Sequence, residues 1–159
     1  MSHPSVLLTC GFPRRGIIAT VELFTAEAPT MCQAIRERLP IEADSYHTKW
    51  NGAELFVILP PFVGLPAENP SRNVQVGDVV VFQFDATYRG APVQARRGGL
   101  GDYSELGFFY GQFVRSYGPA GPVLGTRIGR IVQGIETLAD AARDMRRTGF
   151  EALTLTAIS

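Results

Sequence analysis

Residues 50–62 read WNGAELFVILPPF, and their interpretation decides the fold. Ala53 to Leu59 is an apolar, strand-forming run, entered through the Asn51-Gly52 turn dipeptide and stopped by Pro60-Pro61. Proline has no N–H to give to a sheet ladder, so the strand ends where the prolines begin. Glu54 breaks the apolar pattern, and a carboxylate in such a strand needs either solvent or a polar partner.

Working outward, other short strands flank this one. Ser5 to Cys10 and Ile17 to Phe24 are joined by the Gly-Phe-Pro-Arg-Arg-Gly turn and read as a hairpin. Ala43 to Lys49 is polar and reads equally as strand or loop. Val79 to Phe84 (VVVFQF) is the strongest strand signal in the chain. Leu106 to Tyr110, Arg127 to Val132 and the alternating Phe150 to Ile158 complete the set. The stretch from Pro60 to Val74 is proline-rich and irregular, Tyr88 to Asp102 is a glycine-rich loop, and Gly118 to Gly125 is a turn cluster.

Two helices are expected. One opens at Pro29, where the missing N–H costs nothing, and turns Cys32, Ile35 and Leu39 to one face before Pro40. The other runs from about Ile135 to Arg147, with Ile135, Leu138, Ala142 and Met145 on its core face and Gly149 as its stop. About eight strands and two non-alternating helices argue against a doubly wound parallel sheet. They predict one mainly β domain over residues 1–159, an eight-stranded antiparallel barrel with a helix capping each open end.

The composition restricts function. Of 159 residues, 15 are basic and 15 acidic, so the chain lacks the positive surplus that meets phosphates, and no nucleic-acid partner is expected. Two cysteines, Cys10 and Cys32, make no disulfide framework. No charged leader and no long apolar run is seen, so the expectation is a cytoplasmic protein that does not engage a membrane. With only His3, His47 and two scattered cysteines, no metal spacing is present, and no cofactor motif is found. Gly98-Gly99-Leu100-Gly101 after Arg96-Arg97 lacks the Lys-Ser/Thr of a phosphate loop and reads as a loop that moves or contacts another subunit.

Three segments together resemble the cyclophilins. Gly16 through Arg36 (GIIATVELFTAEAPTMCQAIR) matches a family start in which a strand ending Glu-Leu-Phe leads to a proline that opens a helix. Ile128 through Glu136 (IGRIVQGIE) is similar to the family segment before its last helix. The opening stretch lies over a third motif, with Trp50, Gly52, Pro60 and Phe62 in matching places and the family's catalytic arginine falling on Val57. The resemblance implies a cyclophilin-like barrel. Valine has no donor with which to grip a twisting amide, and losing one preorganised donor commonly costs ~10²–10³ in rate, so prolyl isomerase activity is not expected. The chain looks like a member of a small prokaryotic cyclophilin-like branch without assigned function.

The remaining chemistry gathers near the same strand. His47, Trp50 and Glu54, followed by Glu68 and Asn69, are candidates for a small-molecule or peptide site: Trp50 as an apolar wall, His47 and Glu54 as hydrogen-bonding groups. The competing reading is a satisfied surface histidine and a core tryptophan. Tyr110 is the aromatic chosen from Tyr103, Phe108, Phe109, Tyr110, Phe113 and Tyr117 to border the groove. Asp44, Ser45 and His47 are too close along the chain to form a hydrolytic triad readily. Three alternatives stay open: an enzyme acting on a small amide-type metabolite through His47 and Glu54, an assembly module using its aromatic region to form homo-oligomers, and a residual isomerase.

Overall fold

A computed structural model describes residues 5–84, 102–118 and 121–158. In chain order the elements are β1 (Val6–Phe12), β2 (Ile17–Leu23), α1 (Pro29–Glu37), β3 (Ile41–His47), β4 (Glu54–Leu59), β5 (Pro70–Ser71), β6 (Asp78–Phe84), β7 (Tyr103–Phe109), β8 (Tyr117–Gly118), β9 (Gly121–Pro122), β10 (Gly125–Gln133), α2 (Ile135–Thr148) and β11 (Phe150–Ala157). Eight strands close an antiparallel barrel in the order β2–β1–β11–β3–β4–β7–β6–β10, with β10 returning to β2. The expected mainly β barrel with two helices is the architecture found. Arg96, Arg97 and the Gly98–Gly101 loop lie outside the described residues.

Closure depends on β10. Its register shifts between Arg127 and Gly129 against β6, and between Ile131 and Gln133 against β2. Each irregularity bends the strand, so that one nine-residue element pairs with both neighbours. At the seam with β2, a Cβ on Gly129 would stand 2.4 Å from the Glu22 carbonyl oxygen. Only glycine lets the two backbones approach this closely.

The interior is filled by alternate side chains. Val57 on β4, Val79 and Val81 on β6, Leu106 and Phe108 on β7 and Ile128 on β10 belong to one core, which α1 joins through Met31, Cys32 and Ile35 and α2 through Leu138, Ala142 and Met145. Helix α1 sits where β2 ends and β3 begins, and Cys32 Sγ donates to the Ile128 carbonyl at 3.4 Å. Helix α2 packs at the other end, against β2, β3 and β11. Both cysteines are buried free thiols. The outer face of β6 and β7 is covered as well: Val80, Phe82 and Phe109 form a second cluster with Val74, Val114 and Val123. That double burial explains why β6 reads as an unbroken apolar run.

Two boundaries differ from the sequence expectation. β7 begins at Tyr103 rather than Leu106, because Ser104 and Glu105 are polar strand residues whose ladder partners on β6 and β4 hold them extended. The polar Ala43–Lys49 segment proves to be the end of β3 as far as His47 and then the start of a turn; the strand's outward Glu42, Asp44 and Tyr46 are exposed while Ile41 and Ser45 are buried.

Gly129→Ala is expected to destabilise the barrel by about 2 kcal/mol or more, because the strands must part for the methyl group. A lowered thermal midpoint with an otherwise native circular dichroism spectrum is the expected result, and an unchanged midpoint would contradict the seam geometry.

Candidate functional site

The β3–β4 turn, residues 48–53, organises the α2 end of the barrel. Gly52 has a φ of 78°, and a Cβ there would lie 2.1 Å from the Phe113 carbonyl oxygen, so the turn and the 111–117 segment press together backbone to backbone. Asn51 ties them. Its Nδ2 donates to Glu54 Oε2 at 2.7 Å, its Oδ1 accepts from the Tyr117 N–H at 2.6 Å, and its carbonyl accepts from the Arg115 N–H at 3.2 Å. Arg115 Nε also donates to the Trp50 carbonyl at 2.7 Å. The Trp50 side chain stays 47% exposed, so it is not a core tryptophan.

Register separates His47 from Glu54. His47 lies across from Leu55, and cross-strand partners share a face of the sheet. Glu54, one residue earlier, therefore falls on the other face. His47 turns toward the barrel end. Its Nδ1 is 2.7 Å from the Thr48 carbonyl oxygen, and its Nε2 is 2.5 Å from the Tyr110 hydroxyl and 3.2 Å from Arg146 Nε. A carbonyl can only accept, so Nδ1 carries the proton and Nε2 the lone pair. Burial lowers the His47 pKa, the Thr48 carbonyl opposes that shift, and Arg146 reinforces it. Burial raises that of Tyr110, against the pull of Arg146 and Arg143. The Arg143 guanidinium lies 6.0 Å from the Tyr110 ring centroid.

Glu54 is buried on the outer face, with Oε2 held by Asn51 and Oε1 without a hydrogen-bond partner. It occupies the space above Gly107, where a Cβ would stand 2.2 Å from Oε1. Burial raises its pKa from 4.5 to about 8, helped by the charge of Glu105 and opposed by Asn51 and Thr48. Glu105, two residues along β7 on the same face, is likewise pushed up to about 7 by burial. Histidine and carboxyl thus do not converge on one space.

Glu68 and Asn69 belong to the opposite end. Glu68 accepts from the Thr30 and Met31 N–H groups at 3.2 and 3.0 Å. It caps α1, whose own N-cap, Ala28, has no side chain to do so. Burial disfavours ionising Glu68, but these hydrogen bonds outweigh it and hold the carboxyl below its ordinary range. Asn69 has a φ of 39° and donates to the Arg127 carbonyl at 2.9 Å. Of the six candidates, the structure brings His47, Trp50 and Tyr110 to one end, sets Glu54 behind them, and places Glu68 and Asn69 at the other end. Arg146 was missed. Its only sequence signal was a cluster of arginines in the last turns of α2, which the helix dipole alone explains. Among the described residues, no group of three or more potential ligands is placed to hold a metal ion.

A buried carboxyl with a raised pKa lends stability below its unfolded value, and loses it as pH rises through its folded value. Glu54→Gln keeps the shape and removes the ionisation. Near pH 4.5 the variant is expected to match the parent. Its relative stability then climbs up to about pH 8, to an advantage of about 2–5 kcal/mol. Chemical denaturation at several pH values measures this, and parallel curves would refute the burial of an ionisable Glu54.

The chain belongs to the family described as protein of unknown function (DUF3830), which matches residues 10–157. No curated protein matches it. Solved structures share the fold, two of them as follows. One is McbB in complex with tryptophan, at 16% identity and a TM-score of 0.66 over 94% of this chain and 44% of that one, so this chain spans less than half of McbB. The other is the hypothetical protein AF2241 from Archaeoglobus fulgidus, at 22% identity and a TM-score of 0.61 over 99% of this chain and 100% of that one.

Proposed function

We propose that this member of the family is a cyclophilin-like barrel that binds a small molecule at its α2 end, against His47, Trp50 and Tyr110, and does not isomerise prolyl bonds. One observation carries the reading. A half-buried imidazole is held by a buried phenol at 2.5 Å and an exposed guanidinium at 3.2 Å, so hydrogen-bonding groups fixed from within the barrel meet solvent at its end. A few convergent polar groups held in place beside solvent are one ingredient of small-molecule sites. The exposed Trp50 indole, three residues beyond His47, supplies an apolar surface.

McbB, with the same fold, has been solved with tryptophan bound, which supports a small-molecule reading without identifying this ligand. Val57, in the position that resembles the catalytic arginine, is fully buried in the core and offers no donor, which supports the loss of isomerase chemistry. An amide-metabolite enzyme using His47 and Glu54 together is disfavoured, because the two side chains leave the sheet on opposite faces. A second reading has its own observation. Phe150, Tyr46 and Phe56 stand in register across β11, β3 and β4, with neighbouring ring centroids 6.2 and 6.0 Å apart. Phe150 and Tyr46 are 57% and 38% exposed, which suits a contact surface between copies of the chain.

A thermal-shift screen against metabolites tests the first reading, since a ligand of the native state raises the midpoint by mass action. A hit is expected whose affinity falls about tenfold in both His47→Ala and Trp50→Ala. A hit indifferent to both substitutions moves the site elsewhere, and a robust rate on an X-Pro peptide would falsify the non-isomerase reading. Sedimentation at high concentration tests the second: a strict monomer removes it.

A further inference from the structure

We infer that the ligand of the α2 end is an organic carboxylate, which Arg146 leaves His47 to grip, and that its binding loads a proton onto His47. The inference rests on the small-molecule reading above and adds the ligand's charge and its coupling to pH.

The argument begins with donors. Nδ1–H is committed to the Thr48 carbonyl, so Nε2 is the only acceptor on the ring, and it faces the Tyr110 hydroxyl and Arg146 Nε. The hydroxyl can rotate and accept, but guanidinium has only donors. Protonating Nε2 would set N–H against N–H and cation against cation. His47 therefore stays neutral for as long as Arg146 stays beside it.

The charges around this cluster do not balance. From α2 come Arg146 and Arg143; from the strand end after β7 comes the Tyr110 phenol; from the turn comes the Thr48 carbonyl. Glu54, at the head of β4, buries its carboxyl on the other face. Among the described residues Arg143 pairs only with Asp140, one turn back, where both side chains are largely exposed and the pairing is weak. Among the described residues Arg146 forms no ion pair; its hydrogen bonds go to neutral groups, the His47 ring and the Tyr110 phenol. A neutral imidazole is a poor partner for guanidinium, whose planar fork matches a carboxylate with two parallel hydrogen bonds. Among the described residues the cluster is thus short of one negative charge, and the ligand would supply it.

Proton uptake follows from the exchange. When the Arg146 fork turns to a carboxylate, Nε2 loses its cationic neighbour and gains an anion close by. Both changes favour imidazolium. By linkage, a ligand that promotes protonation binds more tightly as pH falls through the raised pKa of the complex, and the gain levels off below the pKa of the free site.

Benzoate and its uncharged isostere benzamide make a direct test with the full chain. Titration calorimetry is run at pH 6 and pH 8 in buffers of differing ionisation heat, and the His47 ring is followed by NMR. The expected results are benzoate binding about tenfold tighter at pH 6 than at pH 8, net proton uptake, a raised His47 pKa in the complex, and much weaker binding of benzamide. Arg146→Gln, at an exposed position, should fold normally and lose about tenfold in benzoate affinity. His47→Gln should retain binding at pH 8 and lose the pH dependence. Benzamide binding as well as benzoate, Arg146→Gln binding as the parent does, or an unmoved His47 pKa each overturns the inference. Absence of benzoate binding overturns it too. A metabolite hit at His47 and Trp50 would then leave the small-molecule reading standing, whereas a screen without hits removes both.

Discussion

Every position in this molecule depends on β10 satisfying two neighbours at once. A strand of nine residues cannot lie flat against both β6 and β2, and the two register shifts turn it through the corner. Close backbone contact at Gly129 completes one side. On the other, Arg127 reaches Asp78 at 2.9 Å, a fully buried carboxylate that also accepts from the Gln75 N–H. Without that closure the sheet would have two raw edges, and the end-on arrangement of helices would have nothing to cap.

Closure also decides the chemistry. In a barrel, each strand residue belongs either to the inside or to the outside, and the ladder register makes the assignment. His47 and Glu54 are seven residues apart in the chain and near one another at the hairpin end, where the Thr48 N–H donates to the Glu54 carbonyl. The sheet nevertheless separates their functional groups. One becomes a hydrogen-bonding centre at the barrel mouth, with an arginine in reach of water. The other becomes an enclosed acid, satisfied on one oxygen only.

Much of this was legible in the sequence, for local reasons. Paired prolines after Leu59, the proline at Pro29, the three-four spacing of Ile135, Leu138, Ala142 and Met145, and the unbroken run of β6 each reflect a backbone or burial rule that acts within a few residues. The mainly β class and the two helices follow from them. The site was only partly legible. Alternation along a strand says that faces alternate but not which face is inside; a single step of register moves Glu54 from mouth to flank. Nor does any local pattern say that Arg146 crosses 99 positions to meet His47. Glu68 illustrates the converse. It was noticed as a polar residue after an apolar strand, yet its bonds run to the start of a helix 38 residues earlier, a structural duty that a ligand-centred search does not anticipate.

The cladding of β6 and β7 on both faces makes the barrel lopsided. Its wall beneath Val74, Val114 and Val123 is three layers thick, while on β11 and β3 the outward Phe150 and Tyr46 stand open to water. Fewer buried contacts on that side lower the expected cost of local opening there. β3, which ends in His47, lies on that thinner side, so the histidine hangs on the part of the cylinder with the least packing over its outer face.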